Sequence, residues 1–150
     1  MTLIPSAQCE ALTKHWEECR LQAYPDPGTG GVPWTCGWGD TGPDIHPGTV
    51  WTQQEADYRF MLRMDQFGAS VAGMVGPATT QNQFDALVCL AYNIGAPALH
   101  GSTLLRLHNA GDINGASAEF PKWDHAGGRV MQGLLNRRLS EQTLYLTKGI

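Results

Sequence analysis

Two carboxylates and one hydroxyl lie within a short stretch near the beginning of this 150-residue sequence. Glu17 follows a tryptophan, Asp26 stands among turn residues, and Thr35 lies in a segment rich in glycine and tryptophan. Hydrolysis of a glycosidic bond uses such groups, because a carboxylic acid protonates the leaving oxygen while a second carboxylate stabilises charge or activates water. An apolar setting favours a protonated Glu17, and a wetter turn favours an ionised Asp26. Since surface carboxylates are abundant, the pair alone is a weak indication of catalysis.

The element that must carry Glu17 is a first helix, which we expect to begin after Ser6 and to run to about Glu18. Its apolar residues recur at steps of three and four and form one buried stripe, made of Cys9, Leu12, Trp16 and Cys19. Glu18 competes with Glu17 for the acid role. Because adjacent helical residues point about 100° apart, only one of the two glutamates is expected to face a cleft.

Glycine and proline crowd the segment between residues 25 and 48, which contains short apolar and aromatic runs. This pattern is typical of short strands and tight turns, and it predicts a small β-lobe at about residues 22–50. Helical patterns resume afterwards. Helices are expected from the capping boxes at 52–55 and 80–83, with Gly95 ending the second, then at 102–110, from Asp112 to Pro121, and at about 133–146. The sequence therefore predicts one α+β domain over residues 1–150, predominantly helical.

Composition argues against several classes of function. The formal net charge is −4 and no basic cluster is longer than Arg137-Arg138, so no nucleic-acid partner is expected. No stretch approaches the roughly 20 apolar residues of a membrane span, and the first residues lack the basic and apolar regions of a signal peptide. We expect a protein that begins in the cytoplasm, without stable insertion into a membrane.

The four cysteines and five histidines show no spacing typical of metal ligands, so we expect no metal and no cofactor. Free, buried thiols are expected in a reducing cytoplasm. Cys9 and Cys19 would lie about 15 Å apart on one helix, too far for a disulfide. The histidines are expected at the surface or in turns.

An ordered series of motifs extends along most of the chain. It begins with Glu17-x-x-Arg20-Leu21-x-x-Tyr24-x-Asp26 and Trp34-Thr35-x-Gly37-x-Gly39. Later members are Gln83-Phe84-Asp85-Ala86-Leu87-Val88, Tyr92-Asn93-Ile94-Gly95, Glu119-Phe120-x-x-Trp123 and Gly133-Leu134-x-x-Arg137-Arg138. Over about residues 7–146, this series resembles the phage-type (T4-like) lysozymes, glycoside hydrolase family 24.

The resemblance implies a lysozyme-like fold, in which the active-site cleft lies between a small β-lobe and a larger helical lobe. It implies that Glu17 is the general acid and that Asp26 and Thr35 hold and activate the attacking water. The inverting reaction of that family implies carboxyl groups roughly 6.5–9.5 Å apart. The implied substrate is the β-1,4 bond between N-acetylmuramic acid and N-acetylglucosamine in bacterial peptidoglycan.

The chain departs from the family pattern at three places. Eight residues separate Asp26 from Thr35 instead of the usual five, and we attribute the excess to a longer hairpin turn. Asp40 stands where a histidine is common, which puts in doubt any structural ion pair made by that histidine. Glu18 replaces the usual glycine, but the motif register selects Glu17 as the acid.

Four further residues are candidates for substrate binding, namely Trp34, Tyr92, Asn93 and Arg137. Trp34, like Trp38, could stack against a sugar ring or form the core of a small lobe. Asn93 could bind an N-acetyl group or cap a helix end, and Tyr92 is expected beside it at the cleft. Arg137 or Arg138 could reach Glu17, the alternative being a pair of solvated helix arginines.

These observations predict an endolysin, a monomeric muramidase that degrades peptidoglycan during host cell lysis and depends on a holin to reach the wall. A lytic transglycosylase is an alternative enzyme, although Asp26 and Thr35 favour hydrolysis. A phage structural protein with a lysozyme fold is an alternative from another class, and a secreted effector with the same chemistry but another delivery route is a further one.

Overall fold

Helices dominate the fold, and two short strand pairs interrupt them. A computed structural model describes residues 2–27 and 29–149. The elements are α1 (Ala7–Trp16), β1 (Arg20–Tyr24), β2 (Thr35–Gly37), α2 (Gln53–Ala72), α3 (Gln81–Ile94), α4 (Ala96–His100), α5 (Thr103–Asn109), α6 (Ile113–Glu119), a 3-10 turn (Phe120–Lys122), β3 (His125–Ala126), β4 (Arg129–Val130) and α7 (Gln132–Leu146). Within the described part of the chain, no helix combines the length and apolarity needed to cross a membrane.

The predicted starts of the first three helices are confirmed by their N-capping residues. The Ser6 hydroxyl accepts a backbone N–H of the first turn of α1. Thr52 and Thr80 form reciprocal capping boxes with Glu55 and Gln83, so orphan N–H groups at the starts of α2 and α3 are satisfied. Each of these threonines has its capping partner three residues later in the sequence, so the spacing alone predicted where the helices start.

The later helix signals also hold. Gly95 ends α3 in a conformation with φ of +93°. Asp112 caps α6, and the α-helical path stops at Glu119, where Pro121 turns the chain into the 3-10 turn. The short helix α4 and the β3–β4 hairpin were not predicted, although Gly127-Gly128, with φ of +58° and +77°, is a typical two-residue hairpin turn.

Two apolar clusters define two lobes. In the helical lobe, every residue of α3 from Phe84 to Ala91 is buried, and α1, α2 and α7 pack around it. In the β-lobe, Ala23, Cys36 and Ile45 form a small separate cluster. The predicted arrangement of a small β-lobe and a larger helical lobe is therefore observed.

The end of the first helix was predicted wrongly. α1 stops at Trp16, and Glu17 adopts an extended conformation with φ of −94° and ψ of 119°, while its N–H still bonds the carbonyl of Thr13. The strand β1 begins at Arg20, so the chain must leave the helix early, and no glycine signals the change. Cys19 consequently lies outside α1, and the helical 15 Å separation from Cys9 does not apply; all four cysteines are free.

β1 and β2 form an antiparallel hairpin. Tyr24 pairs with Thr35 and Arg20 pairs with Gly37, so β1 contains a bulge between its two paired residues. The first strand begins two residues before the predicted start of the β-lobe. Pairing next to the turn is retained, and the described residues between Asp26 and Thr35, 27 and 29–34, lie in the connecting turn, as predicted.

Candidate active site

A cleft of about 630 Å³ lies between the β1–β2 hairpin and the helical lobe. Glu17 lines it from the end of α1, Asp26 from the hairpin turn, and Asn93 from the end of α3. The remaining wall is formed by Trp16, Pro27, Ala126, Gly127, Met131, Gly133, Leu134 and Arg137. The fold thus brings both predicted carboxylates, and two of the four predicted binding residues, to one cavity.

The Glu17 carboxylate is held by an arginine from the other end of the chain. Arg137 of α7 donates from Nη1 to Glu17 Oε1 at 2.7 Å, and the Glu17 side chain is 18% exposed. Gly39 lies against the same carboxylate, since a Cβ there would sit 2.5 Å from Glu17 Oε2, and its φ is +82°. Glycine is therefore favoured at this position by the backbone conformation, and any larger side chain would also displace the Glu17 carboxylate.

Glu18 is excluded from the cleft, but for a different reason from the predicted one. Its side chain is 81% exposed and lies 3.7 Å from Arg20 Nε as a surface ion pair. The two glutamates both lie beyond the last helical residue, so helical geometry does not separate them. The two side chains are separated instead by the extended backbone at Glu17 and by the contact of its carboxylate with Arg137.

Asp26 organises the turn that carries it. Its carboxylate accepts the N–H of Thr29 at 3.0 Å, and its carbonyl accepts the N–H of Gly30 at 2.8 Å. Its own N–H donates to the carbonyl of Gly31 at 2.9 Å. The longer hairpin turn is thus folded around Asp26, whose position at the cleft is set by local hydrogen bonds.

Thr35 and Trp34 do not line the cleft described above. Thr35 is half-buried on β2 opposite Tyr24, two residues before Asp26 in the neighbouring strand. Because strand side chains alternate and Cys36 points into the β-lobe cluster, Thr35 points away from that cluster. Trp34 is partly buried and packs against the cluster together with Trp51, which favours a packing role for this tryptophan.

Trp38 and Tyr92 join the lobes. The Tyr92 hydroxyl donates to the Trp38 carbonyl at 2.6 Å, and Trp38 Nε1 donates to Asp57 at 2.8 Å. Both rings pack against Phe60 of α2. Burial, followed by the nearby Glu17 charge, raises the pKa of Tyr92 above its usual range. Tyr92 is thereby engaged in holding the β-lobe next to α3.

Arg137 and Arg138 are both buried, which excludes the alternative of a solvated pair, and Arg137 is the one that reaches Glu17. Besides Glu17, Arg137 donates to the carbonyl of Cys89 at 2.9 Å and to Glu141 at 3.1 Å. Burial opposes the charge of Arg137, but the neighbouring acidic groups outweigh it and raise the pKa of this guanidinium. Arg138 donates to Asn93 Oδ1 at 2.8 Å, which fixes the amide at the cleft wall.

Asp40, which departs from the family pattern, makes ion pairs of its own. The buried carboxylate lies 3.0 Å from Arg59 Nε and 2.9 Å from Arg63 Nη2, both on α2. Arg59 also binds the exposed Asp44 at 2.6 Å, and this hydrogen bond lowers the pKa of Asp44. A structural ion pair is therefore present at this position, and it connects the β-lobe to α2.

Sequence reasoning missed Glu141 and misplaced His108. Glu141 is fully buried beside both arginines, and its spacing of three and four residues from them was a readable signal. His108 was expected at the surface but is buried between Thr79 and Tyr145, and burial lowers its pKa. Among the described residues, no three His, Cys, Asp or Glu side chains group as a metal site requires.

A family model described as phage lysozyme matches residues 14–141. The endolysin of Bacillus phage B103 is 41% identical over 136 residues, which cover 91% of this chain and 51% of that protein. The muramidase domain of SpmX from Asticaccaulis excentricus has a TM-score of 0.86 at 33% identity, with 97% of this chain and 99% of that one covered. For the endolysin from Escherichia coli O157:H7 phage FAHEc1 the TM-score is 0.83 at 33% identity, with 97% and 95% covered.

The larger helical lobe, the small β-lobe and the cleft between them make up a lysozyme-like fold, as in the two solved structures. With the match over residues 14–141, the chain belongs to the phage lysozyme family, and the predicted fold class and resemblance are confirmed. The chain spans about half the length of the Bacillus phage endolysins that it matches. It spans nearly the whole of the two solved structures.

Proposed function

We propose that residues 1–150 form a catalytic domain of the endolysin type, a muramidase. It hydrolyses the β-1,4 bond between N-acetylmuramic acid and N-acetylglucosamine in bacterial peptidoglycan, for host cell lysis. The observation that carries the proposal is the cleft that Glu17 and Asp26 line from two different elements, with Arg137 bound to Glu17. Family membership supports the same activity.

In this proposal Glu17 protonates the leaving glycosidic oxygen. The negative charge that then forms on its carboxylate is stabilised by the guanidinium of Arg137, which lies 2.7 Å from Oε1 in the structure. Asp26, together with Thr35, holds and activates a water molecule on the other face of the sugar ring, and the anomeric centre is inverted. Asn93 and Arg137 contribute to substrate binding at the cleft wall.

The decisive experiment compares Glu17→Gln with Glu18→Gln in turbidity assays on purified peptidoglycan. The two variants remove adjacent carboxyl groups, of which one lines the cleft and the other is 81% exposed. We expect Glu17→Gln to lose at least about a thousandfold in rate, within the range of general acid catalysis, and Glu18→Gln to retain its rate. Near-normal lysis by Glu17→Gln, with folding shown by circular dichroism, would overturn the assignment.

Three further variants test the water-activating pair. Asp26→Asn is expected to be severely impaired, whereas Thr35→Ala is expected to be impaired and Thr35→Ser to recover activity, since serine keeps the hydroxyl. Reducing sugar ends in the digest support hydrolysis. 1,6-anhydro ends would instead identify a lytic transglycosylase, and α-configured initial products from the β-linked substrate support inversion.

The proposal includes monomeric action and release to the cell wall through a holin. The relatives comprise proteins named endolysin and proteins named SAR-endolysin. Expression of this chain alone in a bacterial cytoplasm is expected to leave cells intact until the membrane is permeabilised or a holin is co-expressed. Lysis without either would exclude the holin requirement, and sedimentation of purified protein tests the monomer.

A further inference from the structure

Behind the cleft, α7 carries a carboxylate that does not line it. Glu141 is fully buried, and its Oε2 accepts from Arg137 Nε and from Arg138 Nη2, each at 3.1 Å. Its Oε1 lies 2.7 Å from Arg138 Nε as an ion pair that lacks hydrogen-bond alignment. Adjacent helical side chains diverge by about 100°, so a shared acceptor three and four residues later is what draws the two guanidinium groups together.

Each guanidinium group also binds a residue of the cleft wall. Arg137 Nη1 donates to Glu17, and Arg138 Nη1 donates to Asn93. We infer that Glu141 is a positioning residue, which holds Arg137 against Glu17 and cancels one of the two positive charges behind this acid. The inference rests on the proposed function, because it takes Glu17 to be the general acid.

The charge count explains why this arrangement matters. Two arginines and Glu141 leave one net positive charge on this part of α7, and loss of the Glu141 charge would leave two. Positive charge favours an ionised Glu17, which is the wrong form for a proton donor. Glu141 is therefore expected to widen the alkaline side of the active pH range.

The other groups that face Glu17 do not change between the variants proposed below. Burial and the Glu17 charge raise the pKa of Tyr24 on β1 and of Tyr92 on α3, so both phenols stay neutral below pH 9. On α3, burial and Glu141 raise the pKa of the Cys89 thiol to about 12, so it too stays neutral. Asp26 contributes the carboxylate across the cleft and is present in every variant.

The test is the pH dependence of kcat/KM on purified peptidoglycan between pH 4 and 9. Glu141→Gln is expected to move the alkaline limb down by about one pH unit, the order expected for one charge acting across a guanidinium group at an effective dielectric constant of about 20. Arg138→Gln is expected to move it up. The double variant Arg138→Gln/Glu141→Gln restores one net positive charge and is expected to return the limb toward the wild-type position.

Asp85→Asn is the matched control, because Asp85 is another fully buried helical-lobe carboxylate, bound to Ser6 and Gln81. It should leave the alkaline limb unmoved. If Glu141→Gln does not fold, Arg138→Gln and the double variant still differ by one charge, with no net charge in the first and one positive charge in the second, and decide the question. An unmoved limb in the folded variants, or equal limbs in Arg138→Gln and the double variant, would overturn the inference while leaving the proposed function, tested by Glu17→Gln, intact.

Discussion

Two arginine pairs in this protein share the same chemistry and have different consequences. On α2, Arg59 and Arg63 form ion pairs with the buried Asp40 of the β-lobe. On α7, Arg137 and Arg138 form ion pairs with the buried Glu141 of their own helix. In both regions a buried carboxylate is balanced by two guanidinium groups, as burial of a charge requires.

The difference lies in where the remaining guanidinium N–H groups point. The α2 pair directs its remaining contacts to surface groups such as Asp44 and Gln66. The α7 pair directs them to Glu17 and Asn93, which line the cleft. The same ion-pair chemistry thus connects a lobe to its helix in one region and supports the proposed acid in the other.

The largest effect is expected from Arg137→Met. Its loss leaves Glu17 and the buried Glu141 without the cation they share, so unfolding free energy should fall by about 3–5 kcal/mol. The rate per folded molecule should fall at least about tenfold, the equivalent of about 1.4 kcal/mol in the barrier. Urea titrations and turbidity assays at the optimum pH measure the two quantities. A rate per folded molecule equal to that of wild type would contradict the proposed difference between the arginine pairs on α2 and α7.

Asp40→Asn should lower the free energy of unfolding without a comparable loss of activity. Asparagine keeps the shape but removes the charge that two arginines share, so we expect a loss of about 1–3 kcal/mol in unfolding free energy. Because neither arginine contacts Glu17, the rate per folded molecule should remain within about fivefold of wild type, or about 1 kcal/mol. A loss of activity comparable with that of Arg137→Met would show that the α2 pair also supports catalysis.

The smallest effect is expected from Asp44→Asn. The Asp44 side chain is 57% exposed, so its ion pair with Arg59 should contribute less than about 1 kcal/mol and should weaken with salt. Its pKa is lowered by Arg59, so this contribution is present above the unfolded pKa of about 3.9 and is lost as pH falls through the lower folded value. Unfolding midpoints between pH 2 and 7 should show a weaker acid dependence in the variant. If the midpoints of the variant fall with pH as steeply as those of wild type, the acid dependence arises from other carboxylates.

Much of the helical lobe was predictable because its signals are local. Thr52 and Thr80 find their capping partners three residues away, and the inward residues of α3 follow one helical period. The end of α1 was not predictable, because the chain leaves the helix to enter β1, and the Glu17 carboxylate contacts Arg137, a residue 120 positions later. No periodicity near Glu17 carries information about that contact.

The sequence by itself determined the chemical inventory and the helix caps, whereas the roles of Glu17, Asp26 and Thr35 come from the resemblance to a family and stay a prediction. The inventory and the caps depend on residue type and short spacing, which hydrogen-bond reach and helical geometry translate directly into structure. Only the tertiary structure decided that Trp34 packs against the β-lobe cluster, that Asp40 pairs with two arginines of α2, and that Glu141 lies behind Arg137. These outcomes depend on which distant side chains share a buried space, because a buried charge selects its partner by proximity and burial rather than by position in the chain.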